Sequence, residues 1–96
     1  MKEFIKDIRM NFCEVCEDWK LNNSFDEKKI MEIMQKVQLI LEDLTRKVLL
    51  IDTHASKAIL DLINNVVEGL QYKDDVLLLD TIQYGWLPFL DLVLDN

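Results

Sequence analysis

The sequence predicts an all-α fold, a small up-and-down bundle of four helices, or three if the middle two run on as one, with residues 1–96 forming a single domain. Three observations carry this expectation. Apolar residues recur at alternating spacings of three and four, which lines them along helical faces. Turn formers are scarce: two Gly and one Pro, all in the last third of the chain, whereas an all-β chain needs a turn signal about every 8–12 residues. The polar connectors are short, which sets successive helices antiparallel. The chain is half hydrophobic and 30% charged, as globular domains are. At this size it buries roughly 60–65% of its unfolded surface, enough for one core with little room for a deep substrate pocket.

The first helix is expected over residues 2–20, with Ile5, Ile8, Phe12, Val15 and Trp19 on one face and Lys2, Lys6, Arg9 and Lys20 opposite. Asn22 and Asn23 end it, because Asn takes turn conformations and competes for backbone hydrogen bonds. Ser24 starts the second helix in a capping box with Glu27, each side chain reaching the other residue's backbone N–H. Its stripe is Ile30, Ile33, Val37, Ile40, Leu44, Val48 and Ile51. A break at Asp52-Thr53 rests on either residue acting as a cap, with no Gly or Pro to enforce it. The third helix spans about residues 54–71, with core candidates Ala55, Ile59, Leu62, Ile63, Val66, Val67 and Leu70. Asp74 is the expected N-cap of the fourth.

That fourth helix has a wide apolar arc. On an α-helical wheel Leu78, Leu79, Ile82, Trp86, Phe89, Leu90, Leu92 and Val93 cover roughly 200°, leaving Lys73, Asp80, Tyr84, Asp91 and Asp95 as the polar stripe. Two readings follow. Either the helix is central in the bundle, or Trp86, Phe89, Leu90 and Val93, flanked by Asp80, Tyr84 and Asp91, meet another chain: a partner protein or a second copy. Pro88 has no N–H for the carbonyl of Tyr84 and crowds it, so a kink or helix restart is expected there, eased by Gly85.

Charge sets the class of partner. The chain carries 11 basic and 18 acidic residues, net −7, and residues 52–96 hold most of the excess. A phosphate backbone is repelled by that field, so no direct nucleic-acid partner is expected, while a basic protein surface is attracted. Residues 1–9 are charged at every second or third position and lack a signal-peptide core, so a cytoplasmic location is expected. The most apolar stretch, 76–94, contains Asp80 and Asp91, each costing about 2.5–3.5 kcal/mol at a bilayer centre. A membrane span is not expected.

Chemistry-bearing motifs are few. Cys13 and Cys16 have C-x-x-C spacing, but they lie well inside a helix rather than at an N-terminus after a strand, where a catalytic thiol is activated. Residues three apart on a helix have Cβ atoms about 5–6 Å apart, beyond the about 3.5–4.5 Å of a disulfide. His54 is the one other soft ligand, too few for structural zinc. No cofactor, metal or catalytic residue is expected. The expected function is a non-enzymatic protein–protein interaction module: an adaptor, chaperone or regulator. The alternatives are an acidic antitoxin, immunity protein or nucleic-acid mimic binding a basic partner through Asp74, Asp75, Asp80, Asp91 and Asp95, and a thiol redox or metal protein using Cys13 and Cys16.

The run Asp75-Val-Leu-Leu-Leu-Asp80-Thr-Ile-Gln-Tyr84-Gly-Trp-Leu-Pro88-Phe-Leu90 resembles a family of small uncharacterised helical proteins of clostridia and related Firmicutes, often encoded near flagellar and motility genes. The shared pattern is an Asp, a leucine-rich turn, a second Asp, a Tyr four residues on and a Pro four beyond. Gly85 departs from it where the family usually has an acidic residue. The resemblance covers about residues 62–90 and implies a bacterial, cytosolic helical protein with motility-associated partners.

Overall fold

In the computed structural model, which describes residues 1–95 without the side chains of residues 55 and 56, the chain is all-helical. The sequence-derived core position Ala55 therefore lies outside the described side chains. Helix α1 spans Lys2–Asn22 and buries Ile5, Ile8, Phe12, Val15 and Cys16. It stops because Asn23 adopts φ 58°, the left-handed conformation, and donates its N–H to Trp19 O at 2.7 Å. Asn accepts that conformation more readily than most residues.

The second stretch departs from the sequence reading twice. Asp26, not Ser24, is the N-cap of α2 (Glu27–Leu39): its Oδ1 accepts from the Lys29 N–H at 3.2 Å. Ser and Asp cap equally well. Starting two residues later leaves Phe25, immediately before the cap, free to pack on the core beside Trp19, ring centroids 6.1 Å apart. The expected single stripe is also interrupted. Ile40 sits at φ −110°, ψ 9°, outside the helical region, and α3 (Leu41–Ile51) begins beyond it with Glu42 and Asp43 in its first turn. Those acids suit the positive end of a helix dipole. The result is five helices among the described residues rather than four or three.

The break at Asp52 is present. Asp52 is extended (φ −153°, ψ 121°) and its Oδ1 accepts from the His54 N–H at 2.9 Å, forming an Asx turn before α4 (Ala55–Gln71). At the end of α4, Lys73 takes φ 51°, and the N–H groups of Lys73 and Asp74 bond to the carbonyls of Leu70 and Gly69 at 3.4 and 2.9 Å. This Schellman closure hands directly to the next helix, since Asp74 caps α5 by accepting from the Leu77 N–H at 3.0 Å.

Helix α5, Asp75–Asp95, resolves the proline problem without breaking. It is α-helical over Asp75–Asp80, π-helical over Thr81–Trp86 and α-helical again over Leu87–Asp95. The Leu87 N–H bonds to the Ile82 carbonyl, five residues back, so the wider turn ahead of Pro88 accommodates a ring that would crowd an α-helical carbonyl. It also keeps residues four apart in line: Leu78, Ile82, Trp86 and Leu90 are each at most 1% exposed. The wheel estimate of a 200° arc assumed an unbroken α-helix. By length and composition α5 is also apolar enough to cross a membrane, a property it shares with central helices of bundles.

Packing follows one order. Helix α1 lies against α2 and α5, α4 lies against α3 and α5, and α5 runs between α1 and α4. Trp86 stacks on Phe12 (centroids 5.3 Å, 25° between planes) and meets the edge of Phe89 at 6.1 Å. Space is tight where α4 crosses α5: a Cβ at Gly69 would stand 2.7 Å from Leu78 Cγ and Cδ2. The break at Ile40 is where the chain changes neighbours, α2 following α1 and α3 following α4.

Candidate functional site

The residues assigned from sequence to a binding face do not form one. Trp86, Leu90 and Val93 are fully buried and Phe89 is 8% exposed, so four of the seven close the monomer core, as the central-helix reading has it. The segment Leu87–Asp95 that carries Phe89, Leu90 and Val93 packs against α1, and the π-helical turn that ends at Trp86 packs against both α1 and α4. The other three remain outside. Asp80 and Tyr84 are exposed, and half-buried Asp91 takes Arg9 in a bidentate pair, Nε to Oδ1 and Nη2 to Oδ2, the latter at 3.3 Å. That pair holds the Arg9 guanidinium above its ordinary pKa, the hydrogen bond to Asp91 contributing most. Asp74 is engaged as a cap, and Asp75 and Asp95 are spread along α5 rather than gathered around a pocket.

The thiols are set apart by their surroundings. Cys16 is buried and Cys13 half-buried, and both are free. Burial pushes the Cys16 thiol above its ordinary value of 9.0, with neighbouring Cys13 adding to the effect and Lys20 opposing it. A raised pKa is the reverse of what activates a cysteine nucleophile. Cys13 lies one turn from Arg9, whose Nη1 stands 3.7 Å from its Sγ. His54 is exposed, its backbone committed to the Asp52 turn. Among the described residues no three His, Cys, Asp or Glu side chains cluster as metal ligands would.

The surface feature that the fold does create lies elsewhere, between α2 and α4. Each is packed on its other side, but the two do not form a packed pair with one another. A cleft of about 450 Å³ opens between them, walled by Met31, Met34 and Gln35 of α2 and Val67, Leu70 and Gln71 of α4, with Glu27 at its end. It continues past Met34, Gln38 and Val67 into a second, smaller cleft of about 290 Å³ that reaches Leu41 and Leu60, with Val37 and Ile63 in its lining. Val67, assigned to the core from sequence, is 53% exposed on its wall; Met31 and Leu60 are both 56% exposed. The geometry follows from the Ile40 break, because α2 leans toward α1 while α3 stays with α4.

In a chain with 30% charged residues, this seam is lined by Met, Val, Leu, Ile and Gln and by a single charge, Glu27. Interface cores are depleted of charge and enriched in Met in this way. Sequence reading missed Met31, Met34, Leu60 and Val67 as a group. The available signal was the line Met31, Gln35, Gln38 facing Leu60, Val67, Gln71, a flank of each helix with neither Lys nor Glu. Helical spacing alone cannot say that those flanks face one another. No family model matches the chain, and no curated protein or solved structure matches it.

Proposed function

We propose that the chain is a non-enzymatic protein-binding module, an adaptor, chaperone or regulator, that takes a helix of another protein into the open seam between α2 and α4. One observation carries this reading: α2 with α1, α1 with α5 and α5 with α4 are packed pairs, while α2 and α4 leave between them an apolar cleft whose lining holds a single charge, Glu27. From Glu27 to Leu41 the seam extends about 21 Å, or about four helical turns. Burying such a face against a partner helix removes methionine, valine and leucine side chains from water at roughly 25 cal/mol per Å² of apolar area. Helix-in-groove recognition works by this means, through anchors at i, i+3/4 and i+7. The resemblance of residues 75–90 makes cytoplasmic bacterial proteins associated with motility the first candidates for partner.

The test compares substitutions inside and outside the seam. Val67→Glu and Met31→Glu change half-exposed residues and should leave the helical circular dichroism intact, while Leu50→Glu alters a side chain 88% exposed on α3. A protein captured by the wild type and by Leu50→Glu but lost with both seam variants, and cross-linked through one of its own helices, supports the proposal. A partner retained by both seam variants overturns it.

A further inference from the structure

The occupant can be specified further, on the strength of the seam reading above. We infer that it is an amphipathic helix of about four turns that carries basic residues at its N-terminal end and lies with that end at the wide mouth, beside Glu27 and Gln71. The two ends of the seam differ in charge. At the wide mouth α2 begins and α4 ends, and the lining there carries one charge, Glu27, with exposed Asp26 and Lys28 on either side of it in the chain and exposed Glu68 in the last turn of α4. Lys29, the next cation along α2, is paired with Asp18 on the α1 side at 3.0 Å. At the other end the lining, which includes Leu41, Leu60 and Ile63, carries no charge. The groove thus carries the one charge of its lining, an acid, at one end. A helix entering with its N-terminus there sets its positive dipole end and its lysines or arginines against that acid. The partner then runs parallel to α2 and antiparallel to α4. A second copy of this chain fits poorly, because it would bring a net charge of −7 to an acidic mouth.

The experiment uses synthetic amphipathic helices of about four turns sharing one leucine stripe. One has lysines in its first turn, one has the same lysines in its last turn, and one has glutamates in its first turn. Binding is read from the methyl resonances of Met31 and Met34, and orientation from a paramagnetic tag on the peptide N-terminus. The first peptide should bind about tenfold more tightly than the third at low salt, with the advantage shrinking as salt is added, and its tag should broaden Glu27 and Gln71 rather than Leu41 and Leu60. Equal binding by all three, or broadening at Leu41 and Leu60, overturns the charge and direction assigned to the occupant and leaves the seam reading standing. If no peptide moves the methionine methyls and Val67→Glu also fails to disturb capture of a partner, both fall. Concentration-dependent shifts of the same methyls without peptide identify a second copy as the occupant and overturn the inference.

Discussion

The two flanks of α2 end in opposite ways. Toward α1 its apolar stripe, Ile30, Ile33 and Val37, is at most 3% exposed, and the rim is fastened by Lys29 to Asp18 and by Lys36 to Asp7 at 2.9 Å. Even the small cavity on that side, about 130 Å³, is lined with balanced charge from Glu14, Lys29, Glu32 and Lys36. Toward α4 the same helix presents Met31, Met34, Gln35 and Gln38 to an open cleft, and among the described residues no ion pair crosses it. A finished helix pair combines a dry centre with a charged rim; the α4 flank has the apolar centre and lacks the rim. The proposal of a helix-binding seam rests on this difference.

The largest expected effect tests that contrast directly. Ile33→Ala, on the closed flank, should destabilise the domain by about 2–5 kcal/mol, through lost burial and the cavity left behind. Val67→Ala, on the open one, should change stability by no more than about 0.5 kcal/mol. Urea unfolding of both variants decides it, and equal losses would mean that the seam is closed in solution.

Much of this architecture was legible in the sequence. The ends of α1 and α4, the Asp52 break and the Asp74 cap rest on local signals: a left-handed Asn, an Asx turn and a side-chain acceptor at the right offset. Ile40 was not legible, because one non-helical residue redirects the chain without disturbing the three-and-four spacing that runs from Ile30 to Ile51. Trp86 and Phe89 were ambiguous between core and interface, and the wheel that raised the ambiguity does not hold across a π-helical turn. The seam was beyond reach for a related reason. Periodicity identifies Val67 and Leu70 as apolar neighbours on α4, but their burial depends on how far α2 leans away, which is set at Ile40.

Next in size are the glycines under the α4–α5 crossing, which set the closed side of α4 against its open one. At Gly69 an added methyl meets two atoms of Leu78, itself 1% exposed. Overpacking there costs about 1–3 kcal/mol, against about 1 kcal/mol gained in helix propensity. Gly69→Ala should therefore destabilise modestly or break even. At Gly85 the obstacle is one terminal methyl, Leu62 Cδ2 at 2.4 Å, on a half-buried side chain that can turn aside. Gly85→Ala should be the milder of the two in thermal unfolding, and the reverse order would show that α4 and α5 cross differently.

The fastened rim should contribute less. Lys36→Met removes a half-exposed partner of Asp7, and pairs of this kind are worth about 0.2–1 kcal/mol. The loss should shrink in high salt, where screening already weakens the wild-type pair. Unfolding midpoints of wild type and variant that differ equally at low and high salt would assign the change to packing of the lysine stem instead.

The smallest effect concerns the thiols of α1, which report on its closed side. Cys16 is 5% exposed, and burial, the leading cause, lifts its pKa above the ordinary 9.0. The folded state therefore holds that proton more tightly than the unfolded chain. Between 9.0 and the raised value the unfolded state binds fewer protons, so stability falls as pH rises through that window and is unaffected below it. Cys16→Ala should flatten this alkaline decline while leaving the slope nearer neutrality as in the wild type, and the comparison of unfolding free energies at about pH 8 and about pH 10 reads it. Alkylation offers a second view of the same burial: Cys13 should react first, with Cys16 protected until the domain unfolds. Equal alkylation rates for the two thiols in the folded protein would mean that the α1 face opens as readily as the α2/α4 seam, and the distinction between a closed flank and an open one would be lost.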